Sequence, residues 1–176
     1  MKRLILVNGV PASGKSTVAA AMAQAGRWPL IALDTIKEAL FAHLGTGDRD
    51  YNRMLGRASY QAMFNLAADF PGGMTIVMDA WFGFQPESVL AAHLAGAGSP
   101  GAVQVWCHAP AAEIGRRYAA RIGERSGGHL GADYVPELIV MAARAKPLGQ
   151  FPTYEQDTTK PFDCSSFLSW MDARGL

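Results

Sequence analysis

Cysteines and long hydrophobic runs are both scarce in this sequence. Cys107 and Cys164 are its only cysteines, and one well-separated pair does not make a disulfide framework. We therefore expect a reducing compartment, the cytoplasm. The apolar stretch from Leu4 to Val7 is too short for a signal-peptide core or a membrane span, and no other stretch is long enough to cross a bilayer. The sequence thus predicts a protein outside the membrane.

The sequence also lacks a large excess of positive or negative charge. Lysine and arginine total 16, aspartate and glutamate total 15, and the net charge is +1. This balance argues against a protein that coats nucleic acid or an anionic membrane. Hydrophobic residues make up 49% and charged residues 18%, which is typical of a folded chain and not of a disordered one. A length of 176 residues suits one domain with one core.

Short apolar segments alternate with helical patterns along the chain. The predicted strands cover residues 4–8, 30–33, 74–78, 102–107 and 153–157. The predicted helices cover residues 15–24, 35–43, 51–69, 87–94, 111–122, 136–144 and 165–171. This alternation predicts an α/β fold with a five-stranded, mainly parallel sheet covered on both faces. Ligands of such folds gather at the carboxyl ends of the strands, where the sequence places Asn8, Asp34, Asp79, His108 and Asp157.

The first predicted strand runs into a glycine-rich segment that fits G-x-x-x-x-G-K-S. This segment, Gly9 to Ser16, lies between a strand and a helix, as the motif requires. Gly9 and Gly14 let backbone N–H groups point at phosphate oxygens, and the helix directs its positive end to the same anion. Lys15 places a charge on the β- and γ-phosphates, and the Ser16 hydroxyl binds Mg²⁺. The sequence therefore predicts a nucleotide triphosphate site with Mg²⁺, formed by Gly9, Pro11, Ala12, Ser13, Gly14, Lys15, Ser16 and Thr17.

The guanine-reading motif [NT]-K-x-D is missing. The nearest stretch, Thr159 to Asp163, is one residue too long for it. ATP is accordingly favoured over GTP as the nucleotide. The domain is also small for an AAA-type motor.

Three further segments carry a resemblance to a family. They are residues 32–40, a strand followed by Asp34; residues 106–110, followed by Arg117, Arg121 and Arg125; and residues 155–159, which contain Asp157-Thr158-Thr159. Together with the glycine-rich loop they resemble the small P-loop kinases, including chloramphenicol phosphotransferase, polynucleotide kinase and the shikimate and gluconate kinases.

This resemblance implies a three-layer P-loop NTPase fold with a helical lid. Residues 1–176 would then form a single kinase domain with a lid at about 121–135, and ATP would donate its γ-phosphate to a hydroxyl group. The loop with Thr158 and Thr159 would border the adenine, largely through its backbone. The resemblance does not identify the acceptor, and the sequence does not reveal the oligomeric state.

Asp34 is the candidate general base, as the resemblance implies. A carboxylate beside the acceptor hydroxyl can orient it and take its proton. The alternative is that Asp34 is the N-cap of the following helix. Lys37, one turn further on, either contacts the acceptor or a phosphate, or lies on a solvated helix face.

Asp79 follows a buried strand, which is the Walker B pattern. It would hold Mg²⁺ together with Ser16, or hold the acceptor; the alternative is an aspartate that caps a turn. Trp81 and Phe82 come directly after it and form either an acceptor wall or part of the core. No histidine–cysteine spacing is typical of a zinc site.

Arg117, Arg121 and Arg125 are spaced by four residues, which predicts one helical face. Arg121 and Arg125 are the candidates for stabilising the transferring phosphate, and Arg121 also for binding the nucleotide. The alternative is a solvated face with Glu113 and Glu124 as partners. His129, among the glycines that follow, either takes part in lid chemistry or, as we prefer, is an ordinary surface histidine.

Two other functions stay open at this stage. One is a nucleic-acid 5′-hydroxyl kinase, which would need a basic channel that 16 lysines and arginines do not obviously supply. The other is a regulator that binds nucleotide without catalysis. A small-molecule hydroxyl acceptor is preferred over both.

Overall fold

The computed structural model describes residues 2–99, 101–124 and 127–176. Within them, five strands are β1 Arg3–Asn8, β2 Leu30–Ala32, β3 Thr75–Asp79, β4 Ala102–His108 and β5 Thr153–Asp157. The α-helices of this part are α1 Lys15–Gly26, α2 Leu33–Leu44, α3 Arg49–Asp69, α4 Glu87–Gly96, α5 Ala111–Ala120, α6 Val135–Arg144 and α7 Cys164–Asp172. Short 3-10 turns span Phe82–Phe84, Ile122–Glu124 and Ala132–Tyr134.

The strands form one sheet in the order β2-β3-β1-β4-β5, and every neighbouring pair is parallel. The register brings the carboxyl ends together: Asp79 pairs with Val7 on one side and with Ala32 on the other. Asp34 lies two residues after Ala32, so the chain delivers both aspartates to the same edge of the sheet. The predicted α/β fold with helices on both faces is confirmed.

Alternate residues of the strands face two separate cores. Leu4, Leu6, Ile76 and Met78 pack against α3 and α4 on one face of the sheet. On the opposite face, Ile5, Val7, Val77, Val103 and Val105 pack against α1 and α7. Because strands buried on both faces have no polar alternation, they read as continuous apolar runs in the sequence.

A buried polar network connects the centre of the sheet to the carboxyl ends of its strands. Asn8 is fully buried and its amide donates to Gln104 Oε1 at 2.8 Å, while its Oδ1 accepts from the Phe82 backbone N–H at 3.0 Å. Gln104 in turn donates to the Thr153 hydroxyl at 2.8 Å and accepts from the Leu148 N–H at 3.1 Å. Asn8 therefore positions the segment after β3 and is not available to a ligand.

Two predicted helix boundaries are wrong in ways that affect the site. α2 begins at Leu33 with Ala32 as its N-cap, so Asp34 is the second residue of the helix and not its cap. α5 ends at Ala120, with Arg121 as its C-cap. The predicted arginine face therefore does not continue from Arg117 to Arg121 on one α-helix. No helix among the described residues has the length and apolar character needed to cross a membrane.

Candidate active site

The glycine-rich loop between β1 and α1 is shaped by two left-handed residues. Ala12 has φ 63° and Gly14 has φ 85°, and Gly14 is the N-cap of α1. A turn that contains left-handed residues can direct successive backbone N–H groups to one side, which makes a concave site for an anion. The positive end of the α1 dipole lies at the same point. The loop has the backbone of a phosphate site, as the motif predicts.

The two glycines of the motif are also required by close packing. A Cβ on Gly9 would overlap the Ser13 side chain and the carbonyl oxygen of Cys107. A Cβ on Gly14 would lie 2.9 Å from Cβ of Thr158. The ends of β4 and β5 therefore pack closely against the glycine-rich loop.

Thr158 is the main contact from β5 to the glycine-rich loop. Its hydroxyl donates to the Ser13 carbonyl oxygen at 2.7 Å and accepts from Arg117 Nη1 at 3.0 Å. The neighbouring Thr159 donates its hydroxyl to Asp157 Oδ1 at 2.7 Å. Both side chains are engaged in hydrogen bonds within the protein.

Arg117 braces the loop after β5 against α5. Besides the Thr158 hydroxyl, it binds the Thr158 carbonyl oxygen at 3.0 Å and Glu113 Oε1 at 2.8 Å. Hydrogen bonds from Arg116 and Arg117 lower the pKa of Glu113 to about 2. Glu113, which the alternative of a solvated face gave as a partner of the arginine stripe, accepts hydrogen bonds from both Arg116 and Arg117. Arg125 lies outside the described residues.

A cleft of about 650 Å³ opens at the carboxyl edge of the sheet. Its walls come from the glycine-rich loop, α2, α3, α6 and the segment after β3. Of the predicted site residues, it is lined by Pro11, Lys15, Asp34, Lys37, Asp79 and Trp81. Phe84, three residues after Trp81, lines the same wall and is 40% exposed.

Phe82 does not belong to this wall. It is fully buried and packs against Tyr60 and Phe64, with ring centroids 6.0 and 6.4 Å away. In the turn after β3, the side chain of Phe82 points into the core. The prediction of Phe82 as an acceptor contact is therefore wrong.

A small recess of about 20 Å³ adjoins the glycine-rich loop. It is lined by Ala12, Lys15, Ser16, Asp34, Tyr118 and Arg121. Lys15 and Asp34 line both this recess and the large cleft. They therefore stand where a nucleotide phosphate on the loop would meet a second molecule in the cleft.

Asp79 is 7% exposed, and its Oδ1 has no hydrogen-bond partner among the described residues. Burial raises the pKa of this carboxyl, Lys15 and the Ser16 hydroxyl lower it, and the negative charge of Asp34 raises it. A buried oxygen without a partner, next to a hydroxyl, is the kind of donor set that suits Mg²⁺ with phosphate oxygens as further ligands. The described part of the chain holds no group of three His, Cys, Asp or Glu residues that would bind a metal alone.

The pKa of Asp79 leads to a stability prediction. A carboxyl with a raised pKa keeps its proton more tightly in the folded chain, so the folded state loses stability as the pH rises above the ordinary value of 3.8. At pH 7, Asp79→Asn removes a buried charge. We expect Asp79→Asn to raise the Tm of the nucleotide-free protein at pH 7, with a smaller gain at pH 4. Scanning calorimetry at both values measures this, and a lower Tm at pH 7 would contradict it.

Residues 128–130 pack against α2 and α5. Gly128 is buried against the Phe41 ring, His129 Nε2 lies 3.0 Å from Glu38 Oε1, and the Tyr118 hydroxyl donates to the Leu130 carbonyl oxygen at 2.7 Å. The His129 side chain is 8% exposed and lines the cleft. The interpretation of His129 as an ordinary surface histidine is therefore wrong.

An arginine row on α3 was not identified from the sequence. Arg49, Arg53 and Arg57 line the cleft and are spaced by four residues within a single unbroken helix. The same spacing rule that drew attention to Arg117, Arg121 and Arg125 would have found them. They lie in a stretch with no motif, and the structure shows that the face they share is directed at the cleft.

Comparison with known proteins agrees with this architecture. A sequence profile described as an AAA domain matches residues 4–146. No curated protein matches the chain. A candidate kinase from Chloroflexus aurantiacus J-10-fl has a similar structure, with a TM-score of 0.81, 24% identity, and coverage of 98% of this chain and 97% of its own.

Two enzymes with named substrates have related structures. A gluconokinase from Sinorhizobium meliloti 1021 aligns with a TM-score of 0.55, 21% identity, and coverage of 91% of this chain and 84% of its own. A shikimate kinase from Bacteroides thetaiotaomicron aligns with a TM-score of 0.58, 20% identity, and coverage of 99% and 98%. At these identities the likeness concerns the fold.

Proposed function

Because the chain belongs to the AAA domain family and has the fold of small P-loop kinases, we propose that it is an ATP-dependent phosphotransferase. The reaction moves the γ-phosphate of ATP to a hydroxyl group of a small molecule. The observation that carries the proposal is the position of Lys15 and Asp34, which line both the phosphate recess and the large cleft. We place the reaction in the cytoplasm and in a single domain.

The donor half of the site is the glycine-rich loop. Its N–H groups and Lys15 bind the phosphates of ATP, and Arg121 at the recess supplies a further positive charge. Ser16 and Asp79 would hold Mg²⁺, which neutralises charge on the β- and γ-phosphates when bound. Residues 121–135 would form the lid, with Arg125 as a further phosphate contact.

The acceptor half is the cleft between α2, α3 and α6. The exposed carboxylate of Asp34 accepts the proton of the acceptor hydroxyl. The acceptor oxygen then bonds to the γ-phosphorus as the bond to the β,γ-bridging oxygen breaks, and ADP leaves. Lys37 lies one turn after Asp34 on the same cleft wall, where it can contact the acceptor or the moving phosphate.

Trp81 gives the acceptor half an apolar wall. Its ring centroid lies 6.3 Å from that of Phe84, and both rings line the cleft. We expect Trp81→Ala to raise the KM for the acceptor roughly tenfold to a hundredfold, since burying one large side chain contributes about 1.5–3 kcal/mol. The KM for ATP should stay unchanged. Steady-state kinetics with each substrate varied in turn measure this; Trp81→Phe is the control, and an unchanged acceptor KM would contradict the assignment.

The proposal is tested by following ADP formation over a panel of hydroxyl compounds that includes a 5′-hydroxyl oligonucleotide. ADP formation that depends on one small acceptor is the expected result. Turnover with the oligonucleotide alone would replace the proposal with a nucleic-acid kinase. ATP binding without turnover for any compound would favour a regulator.

A further inference from the structure

The large cleft carries more positive than negative side chains. Its cations are Lys15, Lys37, Arg49, Arg53 and Arg57, and its anions are Asp34, Asp79 and Glu137. The whole chain has a net charge of only +1, so the excess is concentrated in the cleft. Lys15 and Asp79 belong to the donor half. The remaining excess lies in the acceptor half, mainly on α3.

The three arginines of α3 differ in how they are paired. Arg49 lies 3.2 Å from Glu137 on α6, so its charge is compensated. Arg53 lies 3.4 Å from Asp50, a carboxylate that is 91% exposed, and such exposed pairs contribute little. Among the described residues, no side chain forms an ion pair or hydrogen bond with Arg57. The uncompensated charge therefore lies at Arg53 and Arg57.

The helical turn between Arg53 and Arg57 contains a glycine, which is unfavourable for the stability of the helix. Gly56 lies in the middle of α3, where glycine weakens a helix, and it lines the cleft. A Cβ there would meet only Lys37 Cε, at 3.7 Å, so packing does not require glycine. Like charges four residues apart also weaken a helix. Such departures from local preference are typical of a functional site.

We propose that the acceptor is a small hydroxy compound that carries a carboxylate or phosphate group, and that Arg53 and Arg57 bind this anion. The inference rests on the proposed function and names its substrate class. Arginine suits both anions because its planar guanidinium forms paired hydrogen bonds with carboxylate or phosphate oxygens. Gly56 leaves room for the anion between the two arginines and Lys37. Arg57 precedes Tyr60 by one turn, and Tyr60 contacts Phe84 with ring centroids 5.2 Å apart, so the anion lies toward the aromatic wall.

The test measures binding of matched compounds by calorimetry. The protein is first saturated with Mg²⁺ and β,γ-imido-ATP, so that added anions meet a filled phosphate loop. The probes are glycerol, glycerate and glycerol 3-phosphate; glucose, glucuronate and glucose 6-phosphate; and inositol, quinate and inositol 1-phosphate. Comparing the affinities of the carboxylate probes with those of the phosphate probes shows which anion the site prefers.

We expect at least one charged probe to bind tenfold or more tightly than its neutral partner. Arg57→Gln should weaken that probe at least tenfold and leave the neutral partner unchanged, whereas Arg57→Lys should restore part of the loss. The control is Arg144→Gln, because Arg144 is an exposed residue of α6 that lies outside the cleft. This substitution should not change the affinity for any probe.

Equal binding of charged and neutral probes overturns the inference, as does an Arg57→Gln variant with unchanged affinity. The inference is also overturned if none of the charged probes binds, or if only a 5′-hydroxyl oligonucleotide binds. ADP formation, followed separately with ATP, distinguishes the two proposals. Charge-dependent binding that requires Arg57 but gives no ADP formation supports the anion site at Arg53 and Arg57 and refutes the phosphotransferase. ADP formation with neutral acceptors alone supports the phosphotransferase and refutes the anionic acceptor.

Discussion

Asp34→Asn is expected to lower kcat by about 10²–10⁴-fold, the usual contribution of a positioned general base. Asparagine keeps the size of the side chain and its place in the first turn of α2, but it cannot accept the hydroxyl proton. Because Asp34 is the second residue of the helix and not its N-cap, the backbone at the start of α2 does not depend on its side chain as a cap. The affinity for ATP should stay close to wild type. Steady-state kinetics and calorimetric titration with ATP measure the two quantities.

Glu87→Gln is the matched control for this variant. Glu87 is an exposed acid in the first turn of α4 and does not line the cleft. Both substitutions remove a favourable charge at a helix N-terminus, worth about 0.3–1 kcal/mol. Only Asp34→Asn should change kcat. A full rate of transfer in Asp34→Asn would show that Asp34 is not the base.

Lys15→Met is expected to abolish nucleotide-dependent stabilisation as well as turnover. A ligand at a hundred times its Kd stabilises the folded state by about 2.7 kcal/mol, which for a chain of this size is a Tm increase of roughly 5–11 °C. Lys15 is the one lysine of the glycine-rich motif, and it faces both the recess and the cleft. Without its charge we expect almost none of this increase.

Thermal unfolding with and without ATP and Mg²⁺ measures the effect. Lys146→Met, at an exposed lysine outside the cleft, is the control and should keep the full increase. A wild-type shift in Lys15→Met would mean that ATP binds elsewhere on the protein.

The fold was predictable because its signals are local. Apolar strands buried on both faces, such as β1 and β4, stand out as continuous runs, and the glycine-rich loop has a fixed spacing with a backbone reason for each glycine. Helix ends were less predictable. Asp34 resembles an N-cap in the sequence, yet α2 starts at Leu33, two residues before the predicted start at Thr35, because Ala32 ends a strand paired with Asp79.

The acceptor half was only partly predictable because it depends on which way each side chain points, and the sequence does not contain that information. Trp81 and Phe82 are equivalent in the sequence, but the turn after β3 places Trp81 in the cleft and Phe82 in the core. Similarly, two arginine rows have the same spacing. The first is broken where α5 ends at Ala120, whereas the row on α3 is continuous and faces the cleft.

The central claim is that a phosphate donor and a hydroxyl acceptor meet between Lys15 and Asp34. The most direct measurement is transfer of label from ATP carrying ³²P at the γ-position into small hydroxy compounds, compared among wild type, Asp34→Asn and Lys15→Met. The account predicts a labelled acceptor with wild type, a strongly reduced rate with Asp34→Asn despite normal ATP binding, and no transfer with Lys15→Met. Equal transfer by wild type and Asp34→Asn, or no labelled acceptor with wild type, would contradict it.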